Sequence, residues 1–163
     1  MERKRIERRA ALGIALGALA LFLAGSALPA TYFTGNDDVY VGYQYLACGW
    51  MGPCNSAAPL WGWYANPLFL TALILMMLRR GFTAAVLAGL GFAIALQSLQ
   101  LVHGLAPNEG GVVTLDFVGW GPGFFLWLAS QGVLFVGGLA FGIWQRRRAQ
   151  AAASERDGAA STR

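Results

Sequence analysis

Cys48 and Cys54 are the two side chains of this sequence best suited to covalent chemistry, and they are its only cysteines. Five residues separate them, and the glycines and proline among these five allow a tight turn. In an oxidising compartment, two thiols at this spacing usually join and close a small loop. The spacing therefore predicts a structural disulfide between Cys48 and Cys54. A redox-active pair is one alternative, and free or metal-bound thiols are another.

A second group of polar residues lies within apolar sequence. Gln97, Gln100 and His103 recur at three-residue steps, which places them on one face of a helix, and Ser130 and Gln131 lie in another apolar segment. Hydrogen bonds between helices are the expected role, and a proton or quinone site is the alternative. His103 is the sole histidine, so two-histidine haem ligation is excluded. The sequence predicts no metal or other cofactor.

Four long apolar segments carry or flank these residues. None contains Asp, Glu, Lys or Arg, and each is close to or above the roughly 18 residues at which a spanning helix is expected. The segments are 10–33, 61–78, 82–103 and 122–144. With 12% charged residues, the chain cannot cover a soluble globule with polar groups. We predict an all-α membrane protein, a four-helix transmembrane bundle forming a single domain over 1–148, followed by a disordered cytoplasmic tail over 149–163.

The basic residues indicate the orientation of these segments. All twelve Lys and Arg residues lie before the first segment, between the second and third, or after the fourth. The outer loops, 34–60 and 104–121, contain four acidic residues and no basic ones. The positive-inside rule therefore places both termini in the cytoplasm. This distribution favours contact with anionic lipid headgroups over nucleic acid, which is not an expected partner.

The first apolar segment also has features of a secretory signal peptide. A basic N-terminus, an apolar stretch and the small residues Gly25, Ser26 and Ala27 fit that pattern, and cleavage would leave three spans. The apolar stretch is longer than is usual in a signal peptide. We therefore expect an uncleaved helix.

The ratio of basic residues suggests the source of the chain. Eleven arginines accompany one lysine, with abundant Ala and Gly, which is typical of a GC-rich bacterial genome. The expected location is then the bacterial inner (plasma) membrane, with the outer loops in the periplasm.

Two further patterns fit helices in a lipid bilayer. Small residues four positions apart predict helix-packing faces within the chain. These pairs are Gly13 and Gly17, Ala85 and Gly89, and Gly138 and Gly142. Aromatic residues predict anchors at the membrane boundaries. The outer anchors are Trp61, Trp63, Tyr64 and Trp120, and the inner one is Trp144.

Each outer loop contains one strand-like run. Residues 39–46 and 112–118 are rich in β-branched and aromatic side chains and follow turn-like residues. Two short strands on the same side of the membrane can pair. We predict that they form a small sheet that caps the helices.

The sequence predicts a non-catalytic accessory, assembly or envelope protein that acts through its outer loops, with another membrane or periplasmic protein as a partner. No acidic or basic side chain lies within a predicted span, which argues against ion-coupled transport. The alternative is a thiol-disulfide oxidoreductase using Cys48 and Cys54. In architecture the chain resembles the bacterial disulfide-forming membrane oxidoreductases and the vitamin K epoxide reductase family, which are four-helix bundles with outward cysteines. Those enzymes use CxxC-type pairs, whereas the spacing here is longer.

Overall fold

The computed structural model of the chain describes residues 2–34, 39–51, 61–100 and 116–161. These residues are mostly helical and include a small sheet. The α-helices are α1 (Glu2–Ala27), α2 (Gly42–Cys48), α3 (Ala65–Met77), α4 (Gly81–Leu96) and α5 (Pro122–Ser161). The strands are β1 (Pro29–Thr34), β2 (Val39–Val41) and β3 (Asp116–Trp120). Short 3-10 turns lie at Gly49–Met51, Gly62–Tyr64 and Gln97–Gln100.

Three of the helices are long and apolar enough to cross a membrane. These segments are Arg5–Ala27, Gly81–Leu99 and Pro122–Ser154. The other predicted span is occupied by a shorter apolar helix, Gly62–Met77. At 1.5 Å per residue this helix measures about 24 Å, against about 30 Å for a hydrocarbon core. An apolar helix therefore occupies each predicted segment, and a four-span arrangement remains a proposal.

The helices bury small residues against one another and expose large ones. Helix α1 packs mainly against α5, α5 against α4, and α4 against α3, with a smaller contact between α3 and α1. Alanines fill much of this core, and the Phe22 and Phe69 rings stack there at 4.8 Å. Leu16, Ile74 and Val86 are instead more than half exposed. This distribution of apolar surface is the one expected of helices surrounded by lipid.

The first helix ends earlier than predicted. Residues 28–33 were expected to continue the first span, but α1 ends at Ala27 and Pro29 begins β1. Pro29 has no backbone N–H to donate to a helix, and it disfavours a helical conformation at Leu28. The aromatic and β-branched residues that follow it suit a strand. Strand β1 is the central strand of the sheet, whose order is β2-β1-β3 with both pairs antiparallel.

The prediction of a strand over 39–46 is wrong beyond Val41. Strand β2 covers only Val39–Val41, and α2 begins at Gly42. The Gln44 side chain accepts a hydrogen bond from the Val41 backbone N–H at 2.7 Å, which satisfies a free donor at the helix start. The residues that follow include Gln, Leu and Ala, which favour helix over strand.

The second predicted strand continues two residues further toward the C-terminus than expected. Strand β3 spans Asp116–Trp120, and residues 112–115 lie outside the described part of the chain. The two strands expected to pair with each other instead lie on either side of β1. Thr31 of β1 is opposite Tyr40 on one side and Trp120 on the other.

The last helix extends beyond the predicted span. Helix α5 continues through Ser161, so most of the segment expected to be a disordered tail is helical. Alanines at 149 and 151–153 favour this conformation, because Ala has the highest helix propensity.

The turn between α3 and α4 lies at the end of the molecule opposite the sheet. Arg79 adopts a left-handed conformation with φ 62°, which is more often found at glycine. The Arg80 N–H donates to Leu75 O and the Arg79 N–H donates to Met76 O, both at 2.9 Å. These two bonds satisfy two of the last carbonyls of α3. The Gln145 side chain of α5 donates to Arg79 O at 3.2 Å and so joins α5 to this turn.

Candidate functional site

The three strands, α2 and the turn Gly49–Met51 form a cap over one end of the helices. Backbone hydrogen bonds join it to the helix ends, from the Gly42 N–H to Leu28 O at 3.1 Å and from the Gly121 N–H to Ala30 O at 2.8 Å. A Cβ atom at position 42 would collide with Gly25 O of α1. Only glycine permits this approach, so the cap lies directly on α1.

A buried hydroxyl pair joins the sheet to α2. Thr31 Oγ1 and Tyr45 Oη are 2.6 Å apart, and Thr31 is almost completely buried. Burial raises the pKa of Tyr45 to about 12, because an ionised phenolate would lose its hydration there. The hydrogen bond with Thr31 partly opposes this shift. Tyr45 therefore remains neutral and holds α2 against β1 at physiological pH.

Trp63 and Gln97 connect the cap to α3 and α4. The Trp63 Nε1–H donates to Leu46 O of α2 at 3.0 Å, and the Trp63 ring lies directly against Gly49. Gln97 Oε1 accepts the Trp61 backbone N–H at 2.8 Å. Gln97 of the polar stripe therefore contacts the segment that precedes α3, and Trp63 is partly buried against the cap.

Three large aromatic side chains of this region are more than half exposed. Tyr43 is 59% exposed, Trp50 55% and Trp61 51%. We refer to Tyr43, Trp50 and Trp61 as the exposed aromatics. Because the backbone carrying them is held by the contacts above, their positions are fixed before any contact with lipid or a partner. Exposed aromatic side chains on a fixed surface are characteristic of contact sites.

The remaining predicted anchors have different surroundings. Trp120 of β3 stacks on Phe124 of α5 at 4.0 Å, and Tyr64 is in ring contact with Trp61 and Trp63. Trp144 lies at the opposite end of α5, under the guanidinium of Arg148 at 4.1 Å.

Cys48 is the last residue of α2. Its side chain is exposed, and it forms no disulfide with any described residue. Cys54 lies outside the described residues. The Cys48–Cys54 disulfide therefore remains a prediction.

A buried hydrogen bond that the sequence did not indicate joins α3 and α5. The Trp127 Nε1–H donates to Asn66 Oδ1 at 2.8 Å, and Asn66 is buried. In the sequence, Asn66 suggests only a helix start before Pro67, and Trp127 only an apolar residue. Pairing them depends on how the two helices are rotated toward each other, which sequence spacing does not specify.

The predicted polar contacts on α5 differ in how they are satisfied. Ser130 is buried and donates to Trp127 O of its own helix at 2.6 Å. Gln131 is fully buried, and neither its Oε1 nor its Nε2 atom has a hydrogen-bond partner in the described structure. Its Oε1 atom lies against Gly91 of α4. The Gln100 side chain and the whole of His103 lie outside the described residues.

The predicted packing glycines also divide into two groups. A Cβ at Gly138 would lie 3.1 Å from both Ala85 N and Gly81 O, and one at Gly142 would meet the Phe82 ring at 2.8 Å. Gly89 faces the Phe135 ring in the same α4–α5 contact. In contrast, no described atom lies within 4 Å of a Cβ placed at Gly13 or at Gly17. This spacing therefore marks a contact on α4 and α5, and an open face on α1.

No metal-binding cluster is found among the described residues, counting groups of three or more His, Cys, Asp or Glu. No protein-family model, curated protein or solved structure matches the chain.

Proposed function

We propose that this chain is a multi-pass protein of a bacterial inner membrane, with four spanning helices, both termini in the cytoplasm and the cap in the periplasm. The outward-facing apolar side chains of the helices support membrane insertion. The basic residues at the α3–α4 turn and beyond Trp144 support the orientation. Helix α3 is short for a span, and local bilayer thinning with extended arginine side chains accommodates such a mismatch at small cost.

Within that membrane, the protein acts as a non-catalytic accessory or assembly factor whose cap contacts another membrane or periplasmic protein. The observation that carries this proposal is the set of exposed aromatics, Tyr43, Trp50 and Trp61, on a backbone fixed by hydrogen bonds. Fixed aromatic side chains lose little conformational entropy when they bind, and for this reason they are frequent energetic centres of protein interfaces.

Site-specific photo-crosslinking tests this role. A photoreactive amino acid replaces Tyr43 in one strain and Val86 in another, and both strains are irradiated as intact cells. Val86 of α4 is the matched control, since it is equally exposed but faces the expected lipid. The proposal predicts a discrete protein adduct from position 43 that is absent from position 86. Adducts of the same mass from both positions, or none from position 43, would contradict it.

A second function is favoured by one observation, the exposure of Cys48 at the end of α2. An accessible thiol six positions before Cys54 in the sequence suits a thiol-disulfide oxidoreductase, in which one cysteine forms a mixed disulfide with a client protein and the other releases it. Replacing Cys54 by Ser would then trap the mixed disulfide on Cys48. Client proteins released from the C54S variant by reductant, and missing from the C48S/C54S variant, would support the enzyme over the accessory role.

A further inference from the structure

Arginines from three separate elements meet at the end of the molecule opposite the cap. The side chains described there include eight arginines and a single acidic residue, Glu7. The arginines are Arg5, Arg8, Arg9, Arg79, Arg80, Arg146, Arg147 and Arg148. Such an excess of guanidinium groups suits phosphate, which arginine binds with two parallel hydrogen bonds.

These arginines differ in their surroundings. The Arg146 guanidinium lies over the Phe82 ring of α4 at 4.0 Å, and that of Arg148 lies over Trp144 at 4.1 Å. Arg147 lies between them in sequence and is exposed, with no ion pair or ring contact in the described structure. Arg147 is therefore the arginine of this trio best placed to meet an incoming anion.

An apolar groove lies on the same face of α5 as Arg147. It has a volume of about 660 Å³, opens toward the surroundings, and is lined by Phe92 of α4 together with residues of α5. Gly132 contributes no side chain, and this leaves room in the groove between Phe92 and Val136. The lining is almost wholly apolar, so the groove suits a hydrocarbon chain.

The helical spacing along α5 places the groove and Arg147 on the same face of the helix. Val136 and Arg147 are separated by about three helical turns, so they lie on one face and about 16 Å apart along the axis. This length is close to half of the roughly 30 Å hydrocarbon core, which is the depth that one lipid leaflet spans. A phosphate at Arg147 and an acyl chain at Val136 therefore fit a single phospholipid molecule.

We propose that α4 and α5 bind an anionic phospholipid of the cytoplasmic leaflet, with its phosphate at Arg147 and one acyl chain in the groove lined by Phe92, Gly132 and Val136. This inference rests on the proposed membrane insertion and orientation, and not on the role of the cap. Lipid bound in this way joins the cytoplasmic ends of α4 and α5 and makes the stability of the protein depend on membrane composition.

The test uses the full-length protein in nanodiscs of phosphatidylcholine with a minor fraction of phosphatidylglycerol, followed by native mass spectrometry of retained lipid. The expected result is preferential retention of phosphatidylglycerol, reduced about fivefold in Arg147→Gln, since a basic residue contributes about 1 kcal/mol to binding an anionic membrane. Arg148→Gln is the matched control, because it removes the same charge from a side chain that lies over Trp144. It should retain the preference.

A second variant tests the acyl chain. Gly132→Leu fills the groove without changing charge, and its Cβ would meet the Phe92 ring at an ordinary 3.7 Å. It should lose retained lipid of both headgroup types and keep an unchanged melting temperature in detergent. Equal losses in Arg147→Gln and Arg148→Gln, full retention in Gly132→Leu, or a second protein copy in place of lipid would each overturn the proposal. Failure of the protein to enter nanodiscs would instead contradict the membrane insertion.

Discussion

At the scale of single residues, Gln131 is the described polar side chain that the fold leaves least satisfied. A buried amide without partners costs about 1–3 kcal/mol, and replacement by an apolar group of similar shape removes that cost. We predict that Gln131→Met raises the free energy of unfolding by about 1–3 kcal/mol. Thermal or denaturant unfolding in mild detergent measures the change.

Asn66 supplies the control, because it is a buried amide that does have a partner. Asn66→Leu leaves the Trp127 Nε1–H without an acceptor and should lower the free energy of unfolding by about 1–3 kcal/mol. If Gln131→Met were as destabilising as Asn66→Leu, the Gln131 amide would have to be hydrogen-bonded in the membrane.

Tyr45 makes the stability of the cap depend on pH in a narrow alkaline window. The pKa of Tyr45 is about 12 in the folded protein against 10.0 for an unperturbed tyrosine. The unfolded state therefore loses its proton first. The stability due to neutral Tyr45 is complete below pH 10.0 and is lost as the pH rises toward 12.

We predict that the parent protein loses stability between these two pH values and that Tyr45→Phe loses distinctly less. At neutral pH, Tyr45→Phe should be less stable by about 1 kcal/mol, because the hydrogen bond to Thr31 is lost. Unfolding midpoints across the alkaline range, together with phenolate absorbance, measure both effects. Parallel pH profiles for the two proteins would show that Tyr45 is not the group responsible.

At the scale of helices and strands, the spacing of two small residues four positions apart has two opposite structural uses. The Cβ of a residue replacing Gly138 would press on backbone atoms of α4, while the same atom at Gly13 would meet no described atom. Gly138→Leu should therefore cost about 1–3 kcal/mol or more of unfolding free energy through overpacking. Gly13→Leu should stay within about 0.5 kcal/mol of the parent.

The same unfolding assay in detergent compares these two variants. Equal destabilisation by both would mean that the Gly13 face of α1 is also covered, by a second copy or by a partner helix. Measuring the mass of the purified protein would separate those two cases.

The elements that sequence reasoning located best are those set by local composition. The apolar segments predicted the long helices, and the β-branched and aromatic runs predicted β2 and β3. Helix α1 was extended too far because apolarity alone does not separate a buried strand from the end of a span, although Pro29 is the local signal of that boundary. Helix α2 was missed because its start depends on the Gln44 cap and on Gly42 fitting against α1, which are tertiary features.

The candidate sites were harder to predict from the sequence, because each depends on how neighbouring helices are rotated about their axes. The Asn66–Trp127 bond and the groove beside Gly132 arise where side chains of different helices converge. Gln97 was assigned to contacts between helices because its polarity is unusual in that segment, but one of its partners, the Trp61 backbone N–H, lies far away in sequence.

At the scale of the whole molecule, the cap and the arginine-rich end lie at opposite ends of the helices. The proposed function requires a membrane between them. The accessory role, the thiol alternative and the phospholipid site all depend on that separation, because each needs its residues on a particular side.

Thiol labelling of single cysteines tests this arrangement most directly. In a variant with Cys48 and Cys54 replaced by Ser, cysteines are introduced at Val118 of the cap, at Leu78 in the α3–α4 turn, or at Ala149 of α5. A membrane-impermeant reagent is predicted to reach V118C from the periplasm once the outer membrane is opened, and to reach L78C and A149C only after the inner membrane is disrupted. Labelling of L78C together with V118C before that disruption would contradict a transmembrane α3 and α4, and with it the proposed orientation.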